Sequence, residues 1–391
     1  MSGERTALVL SGGGARGAYE AGVVSGIVDV LGQGRREQAP FSIFTGTSVG
    51  AINATWLAAH ADRTDMNVQG LAEHWQSLTL TEHLRFTPGR FLRATAGNQE
   101  LGRSLVDYRA LERLVRDQIP YSRLHDNVQK GVVDALVVAA LNISTARTTM
   151  FAEVAPGRDF IPSRDPRRVR RLTQIGWNHV LASAAIPLVF PARRIGSGFY
   201  CDGSIRFNTP LAPAIRAGAE RLVVVSALHR EEDRPPDSVP PAPRAVAYPS
   251  PMFLMGKVLN ALLLDPVNYD LNVLQRFNRV WEVLEETSTS EDLARVVQVL
   301  RDTRGLEYKR LQTLVFHPSE DIGEITTRYA RTLPMRSLSG ALVALSARIR
   351  DQFEADLLSF ILFDAGFARE LLALGRRDAH RRADEIISFF A

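Results

Sequence analysis

Residues 41–59 read FSIFTGTSVGAINATWLAA. Phe41 to Thr45 (FSIFT) is a short apolar run that predicts a buried strand, and the alanine-rich run Ala51 to Ala59 predicts a helix. Between them, Gly46-Thr47-Ser48-Val49-Gly50 is the pattern G-x-S-x-G, which occurs once in the 391 residues. A serine on a sharp turn between a buried strand and a helix is pushed into the open, and glycines two places to either side leave room for that turn. The pentapeptide predicts a nucleophile at Ser48, carried on a strand, turn and helix.

The same order occurs once more upstream. Thr6 to Ser11 (TALVLS) reads as a buried strand, Gly12-Gly13-Gly14-Ala15-Arg16-Gly17 as a turn, and Ala18 to Leu31 as a helix. Eleven of the 28 glycines fall in the first 50 residues, so this region needs tight backbone. The turn matches G-x-G-x-x-G, which admits two readings. In a dinucleotide site the second strand should end in a carboxylate for the ribose, and here it ends in Thr45-Gly46-Thr47-Ser48. In a hydrolase the glycine N–H groups face the oxyanion of a tetrahedral intermediate, with the helix dipole adding partial positive charge. A P-loop would need a Gly-Lys-Ser/Thr ending that this turn lacks.

Further along, Ala135 to Ile143 (ALVVAALNI) predicts a strand covered on both faces, with Thr149 to Val154 as its neighbour. Val169 to Ala185 predicts a helix that stops before Pro187, while Phe199 to Cys201 and Arg221 to Ser226 predict short strands. Strands alternating with helices argue for a mainly parallel central sheet sandwiched by helices. Seven of the 20 prolines lie between Pro235 and Pro251, an exposed loop or linker. Beyond it the chain turns largely helical, with Gln312 to Phe316 (QTLVF) as a strand able to return to the first sheet. The expected organisation is a catalytic α/β domain over residues 1–230, a proline-rich linker over 231–251 and a helical extension over 252–391 packed on the catalytic part. Within that extension, residues 251–265 (PMFLMGKVLNALLLD) have helical apolar spacing. This is a core helix or a cover for an acyl pocket that meets a bilayer.

A serine hydroxyl needs a base. The eight histidines (60, 74, 83, 125, 179, 229, 317 and 380) share no common pattern and read as structural. Asp202 follows the strand Phe199-Tyr200-Cys201 and precedes Gly203-Ser204, so it emerges at a strand end. An ordinary aspartate, with a pKa of about 3.9, is a poor base unless burial raises its proton affinity. Asp202 is therefore expected in a desolvated cleft. Cys201 beside it reads as a small buried filler.

Four blocks now stand in order: Gly12 to Gly17, Gly46 to Gly50, Ala182-Ser183-Ala184-Ala185-Ile186-Pro187-Leu188-Val189-Phe190-Pro191, and Asp202-Gly203-Ser204 followed by Asn208-Thr209-Pro210-Leu211. In these the sequence resembles the patatin-like phospholipases over about residues 5 to 226. The resemblance implies a Ser-Asp dyad with Ser48 as nucleophile and Asp202 as base, and the Gly12, Gly13 and Gly14 backbone as oxyanion hole. Arg16, Gly17, Gly46, Gly50 and Gly203 support those motifs, and no cofactor or metal is required. Such a protein cleaves acyl esters of phospholipids or related lipids; the alternative is a catalytically weak lipid-binding or regulatory protein on the same fold. Ser204 departs from the family's usual Asp-Gly-Gly or Asp-Gly-Ala. Arg16 either steers a phosphate headgroup or pins the loop.

Composition fits this reading. One cysteine among 391 residues excludes an intrachain disulfide and a cysteine-rich zinc site. No apolar run approaches the roughly 18 residues of a membrane span. The opening MSGERTALVL is not a secretory leader. A cytoplasmic protein with peripheral membrane contact is expected. The net charge of +4 comes from 47 basic against 43 acidic residues and implies no nucleic acid. The cluster Arg164, Arg167, Arg168, Arg170 and Arg171 reads as a solvated helix start or a site for anionic headgroups.

Overall fold

The computed structural model describes residues 5–32, 38–78, 85–86, 106–107, 109–187, 190–206, 211–230, 265–306, 310–333 and 355–391. Strand β1 (Thr6–Leu10), helix α1 (Gly17–Gly32), strand β2 (Ile43–Thr47) and helix α2 (Val49–Ala59) come first. Helix α3 (Val68–Ser77), the two-residue strands β3 (Arg85–Phe86) and β4 (Val106–Asp107), and helices α4 (Arg109–Gln118) and α5 (Tyr121–Gln129) lead to β5 (Ala135–Asn142) and β6 (Thr148–Val154). Then come β7 (Arg168–Leu172), α6 (Trp177–Ser183), β8 (Arg193–Ile195), β9 (Gly198–Asp202), α7 (Leu211–Arg216) and β10 (Arg221–Val225). Later described elements are α8 (Asp265–Thr287), α9 (Ser290–Arg304), β11 (Gln312–Phe316), α10 (Ile322–Ala330), α11 (Ala355–Ile361), α12 (Ala365–Arg381) and α13 (Ala383–Phe390).

The main sheet runs β11-β10-β1-β2-β5-β6-β7. From β11 to β5 the neighbours are parallel, and β6 turns back antiparallel to β5. All five residues of β1 are buried, because helices cover both faces: Leu8 and Leu10 join one apolar cluster, Ala7 and Val9 the other. The fold is a mostly parallel sheet with flanking helices, as expected.

Two local expectations are corrected. The strand before Ser48 spans Ile43–Thr47, so Gly46 and Thr47 belong to it: Gly46 pairs with Leu10 and Val138, and Thr47 with Ala139. Val169 to Ala185 is not one helix. Its first part is β7, paired with β6 from Thr148↔Arg168 to Ala152↔Leu172, and only Trp177–Ser183 is helical. The arginine cluster thus lies on and before an edge strand rather than at a helix start, and charged side chains there discourage strand pairing with another chain.

The later part of the chain returns to the sheet. β11 pairs with β10 in register from Arg221↔Gln312 to Val225↔Phe316. Helix α12 packs on α1 at a glycine crossing, where a Cβ on Gly22 would sit 2.3 Å from the Leu372 carbonyl oxygen and one on Gly375 2.3 Å from that of Tyr19. Gly375→Ala should therefore destabilise the fold by about 1–3 kcal/mol, since the clash with rigid backbone outweighs the gain in helix propensity. Urea unfolding at constant slope would measure it; an unchanged midpoint would mean the helices separate freely. The proline-rich stretch 231–251, the segment 252–264 and Asn208-Thr209-Pro210 lie outside the described residues.

Candidate functional site

Strand β5 is the ruler of the site. On one edge it pairs with β6 along most of its length. On the other it pairs first with β2, ending at Thr47↔Ala139, and then with β9, from Asn142↔Tyr200 to Ala140↔Asp202. β2 is parallel to β5 and β9 antiparallel, so the two meet end to end along this edge. Ser48 leaves the end of one as Asp202 closes the end of the other.

At Ser48 the backbone has φ 55° and ψ −128°, a conformation that side chains avoid. Two neighbours enforce it. A Cβ on Gly46 would lie 2.2 Å from the Gly50 carbonyl oxygen, and one on Gly50 would lie 2.4 Å from that of Ser11. The turn is thus pressed against the end of β1 and admits only glycine at both places. The Ser48 N–H donates to Ser183 Oγ (3.0 Å), and Ser183 Oγ donates to the Ala139 carbonyl (2.6 Å), which braces the turn on β5.

Asp202 is 1% exposed. Its N–H donates to the Ala185 carbonyl (2.9 Å), and its Oδ1 accepts the Ser204 N–H (2.8 Å). Oδ2 is buried and has no hydrogen-bond partner among the described residues. Burial pushes the carboxyl up to about 6, against the opposing pull of the neighbouring Ser48 and Ser204 hydroxyls. The carboxyl is thus desolvated, and the Ser204 N–H favours its ionised form. Gly203 lies under Ala139, where a Cβ would be 2.4 Å from the carbonyl oxygen. Burial, and then the Asp202 charge, push the Cys201 thiol up to about 11, so it stays protonated.

The loop Gly12 to Gly14 leaves β1 beside this turn and is buried throughout. A single 3₁₀ turn, Gly14–Arg16, leads into α1 at Gly17. Gly14 has φ +58°, and a Cβ there would lie 2.1 Å from the Phe360 carbonyl oxygen. Arg16 is 3% exposed; its Nε donates to Ser359 Oγ (2.7 Å) and its guanidinium lies 4.5 Å over the Phe360 ring. It therefore pins the glycine loop to α11 and is not placed to steer a headgroup in solution.

Beneath the loop lies a polar network that the sequence did not announce. Glu20 accepts from Ser11 Oγ (3.2 Å) and from Asn53 Nδ2 (3.0 Å); the Asn53 amide also donates to the Gly17 carbonyl (3.0 Å), and Trp75 Nε1 donates to Asn53 Oδ1 (3.0 Å). Burial pushes Glu20 up to about 8, so at neutral pH it is mostly protonated. One carboxyl thus ties the start of the glycine loop to α1, α2 and α3. Its only forewarning is a Glu and an Asn amid apolar helical residues.

Ser48 and Gly14 border an apolar cavity of about 30 Å³ walled by Ile52, Leu71, Leu111, Ile186 and, from the far end of the chain, Phe360 and Phe363. That is room for about one water. Trp75 and Phe363 stack across it, centroids 6.2 Å apart. Of the histidines, His74 reaches this wall, its ring stacked on Trp56; His60 contacts the Trp56 carbonyl, His125 pairs with Glu153, and His179 accepts the Gly176 N–H. Among the described residues no three His, Cys, Asp or Glu side chains gather into a metal-binding group, and no helix is long and apolar enough to cross a membrane.

A family profile described as patatin-like phospholipase matches residues 8–215, more than half of the chain. The chain belongs to the patatin-like phospholipase family. Among relatives of this patatin-like protein, the uncharacterized protein YjjU of Escherichia coli K12 is 28% identical over 228 residues, 56% of this chain and 51% of that protein. A cGAMP-activated phospholipase of Pseudomonas aeruginosa is 29% identical over 205 residues, 52% of this chain and 53% of that protein. The patatin-like chain thus spans about half the length of these curated relatives. The crystal structure of VipD from Legionella pneumophila aligns with 95% of this chain and 67% of its own at a TM-score of 0.32 and 14% identity.

Proposed function

We propose that the protein is a serine acyl hydrolase acting on lipid esters. Ser48 is its nucleophile, Asp202 its general base, and the Gly12, Gly13 and Gly14 backbone its oxyanion hole. The observation that carries this reading is the meeting of a strained, buried serine with a buried carboxylate whose Oδ2 has no hydrogen-bond partner among the described residues, at the end of one strand edge. Asp202 takes the Ser48 proton as Ser48 Oγ attacks the ester carbonyl, and the alcohol leaves with that proton. Water then attacks the acyl-serine, with Asp202 again acting as base, and the acid is released. Loop N–H groups face the oxyanion in both steps, and the N-terminus of α2 adds partial positive charge. The apolar walls beside Ser48 suit an acyl chain, and similarity to a phospholipase suggests phospholipids as the source of the ester. Contact with a lipid surface is part of this reading.

A fluorophosphonate probe tests it. Wild type should become covalently labelled and Ser48→Ala should not. Absence of labelling, or equal labelling of both, sinks the enzyme reading in favour of a silent lipid-binding protein.

The cavity at Ser48 holds little more than a water as it stands, so an acyl chain must displace part of its apolar wall, and Phe363 sets a limit on length. Phe363→Ala removes the ring stacked on Trp75 and should raise the ratio of kcat/KM for an eight-carbon over a four-carbon p-nitrophenyl ester by several-fold, on the order of 1 kcal/mol. An unchanged ratio would place the chain elsewhere.

A further inference from the structure

A second cavity lies on the sheet face opposite Ser48. Its floor belongs to the other apolar cluster, in which Leu211 of α7, Leu274 of α8 and Leu311 pack under Ala7, Val9 and Leu222 of the sheet. It is larger, about 220 Å³, the volume of roughly seven waters. Ile215, Val273 and Leu306 complete its aliphatic walls.

Three guanidinium groups line the same cavity. They are Arg168 from the edge strand β7, Arg216 from the end of α7 and Arg304 from the end of α9; Asp270 is the one carboxylate lining it among the described residues. Uncharged groups hold Arg216 and Arg304, and an ion pair with Asp165 holds Arg168. Arg216 donates to the Pro162 carbonyl (2.6 Å) and the Arg304 carbonyl (3.2 Å), Arg304 lies 5.3 Å over the Phe277 ring, and Arg168 contacts Asp165 (3.5 Å) at the rim. Burial, and then the charges of Arg168 and Arg304, push Arg216 below its ordinary range, so the cations are close enough to oppose one another. The side chain of Arg164 packs against the turn at Gly305, just beyond α9. Two members of the sequence's arginine cluster, Arg164 and Arg168, thus lie near two further arginines from distant helices.

Convergent guanidinium forks match the oxygens of a carboxylate or phosphate, and relief of their mutual repulsion would add to such an anion's binding. Arg304 covers one face of the Phe277 ring, and the lining is mostly aliphatic. It offers apolar area for a hydrocarbon chain. We infer that this cavity binds an amphiphilic anion, a carboxylate or phosphate monoester on an unbranched alkyl chain, with its head among Arg168, Arg216 and Arg304 and its chain against Leu211, Ile215 and Leu274. The inference does not depend on Ser48 being catalytic. A fatty acid or an alkyl phosphate would meet it equally, and the test separates the two.

Isothermal titration of the full chain with decanoate, decyl phosphate, inorganic phosphate and decanol, all below micelle formation, gives the answer. Saturable binding is expected for one or both amphiphiles, with dissociation constants below about 1 mM, and at least tenfold weaker binding for inorganic phosphate and decanol. Whichever amphiphile binds more tightly identifies the head group. Arg304→Gln and Arg216→Gln should each weaken it roughly tenfold or more, and Ile215→Trp, which fills the cavity, should do the same. Arg304 is exposed, so its substitution leaves the packing intact even if Arg216→Gln loosens the fold. The inference is overturned if neither amphiphile binds, if Arg304→Gln and Ile215→Trp bind like wild type, or if inorganic phosphate binds as well as decyl phosphate.

Discussion

If Ser48 is the proposed nucleophile, turnover of ester substrates by Ser48→Ala is expected to fall at least about 10⁴-fold, the usual loss when a serine nucleophile is removed. The companion variant makes the result diagnostic. Ser48 holds φ 55° and ψ −128° only because the turn is clamped between β1 and α2, and a non-glycine residue in such a region costs of order 1–3 kcal/mol. Ser48→Gly should be as inactive as Ser48→Ala and yet more stable than wild type by about 1–2 kcal/mol in urea or thermal unfolding. A residue kept for packing alone would show the opposite pattern. If the glycine variant were both inactive and less stable, the loss of activity would trace to a damaged fold, not to a missing nucleophile.

Asp202→Asn should lower kcat by roughly 10²–10⁴-fold, the usual worth of a positioned base. The pH profile separates that role from a structural one. Only the ionised carboxylate can take the Ser48 proton, and burial raises its proton affinity until it titrates near 6. In wild type, kcat/KM should therefore rise with pH through about 6 and level off above 7, and the residual activity of the asparagine variant should lose that step. Stability runs the other way. A carboxyl whose pKa is raised in the folded state favours folding at low pH, where both states are protonated, and that contribution is lost as pH climbs from about 4 through 6. Above that range the buried charge costs about 3 kcal/mol, from a rise of about two pH units. Asp202→Asn should thus be more stable than wild type at pH 7, with the difference shrinking toward pH 4. A profile without a step near 6, in a variant that folds, would remove Asp202 from the base role.

The parts of this architecture that the sequence declares are those built from neighbours in the chain. Thr6–Leu10 and Ala135–Asn142 are continuous apolar runs, and the elbow at Ser48 has its glycines two residues away, so strand, turn and helix can be read directly. Asp202 is readable for a similar reason, as a carboxylate at a strand end before glycine. Where local pattern and tertiary setting disagree, the reading slips. Gly46 and Thr47 look like turn residues but are held in β2 by pairing with β1 and β5. Arg168–Leu172 carries three arginines and looks like a polar helix start, yet the free edge of β6 captures it as a strand. Contacts made across hundreds of residues leave no local mark at all. Ser359, Phe360 and Phe363 close over the glycine loop and the Ser48 cavity from more than 300 residues away.

The crossing of α1 and α12 at Gly22 and Gly375 has a consequence for how the protein is made. Some 350 residues separate the two halves of that contact, and at roughly 5–20 residues per second a ribosome needs about 20–70 s to supply the second after the first. Throughout that interval the apolar face of α1 and the glycine loop lack the helix and the phenylalanines that cover them in the finished molecule. The growing chain therefore carries its Ser48 turn early, but the walls that enclose it late.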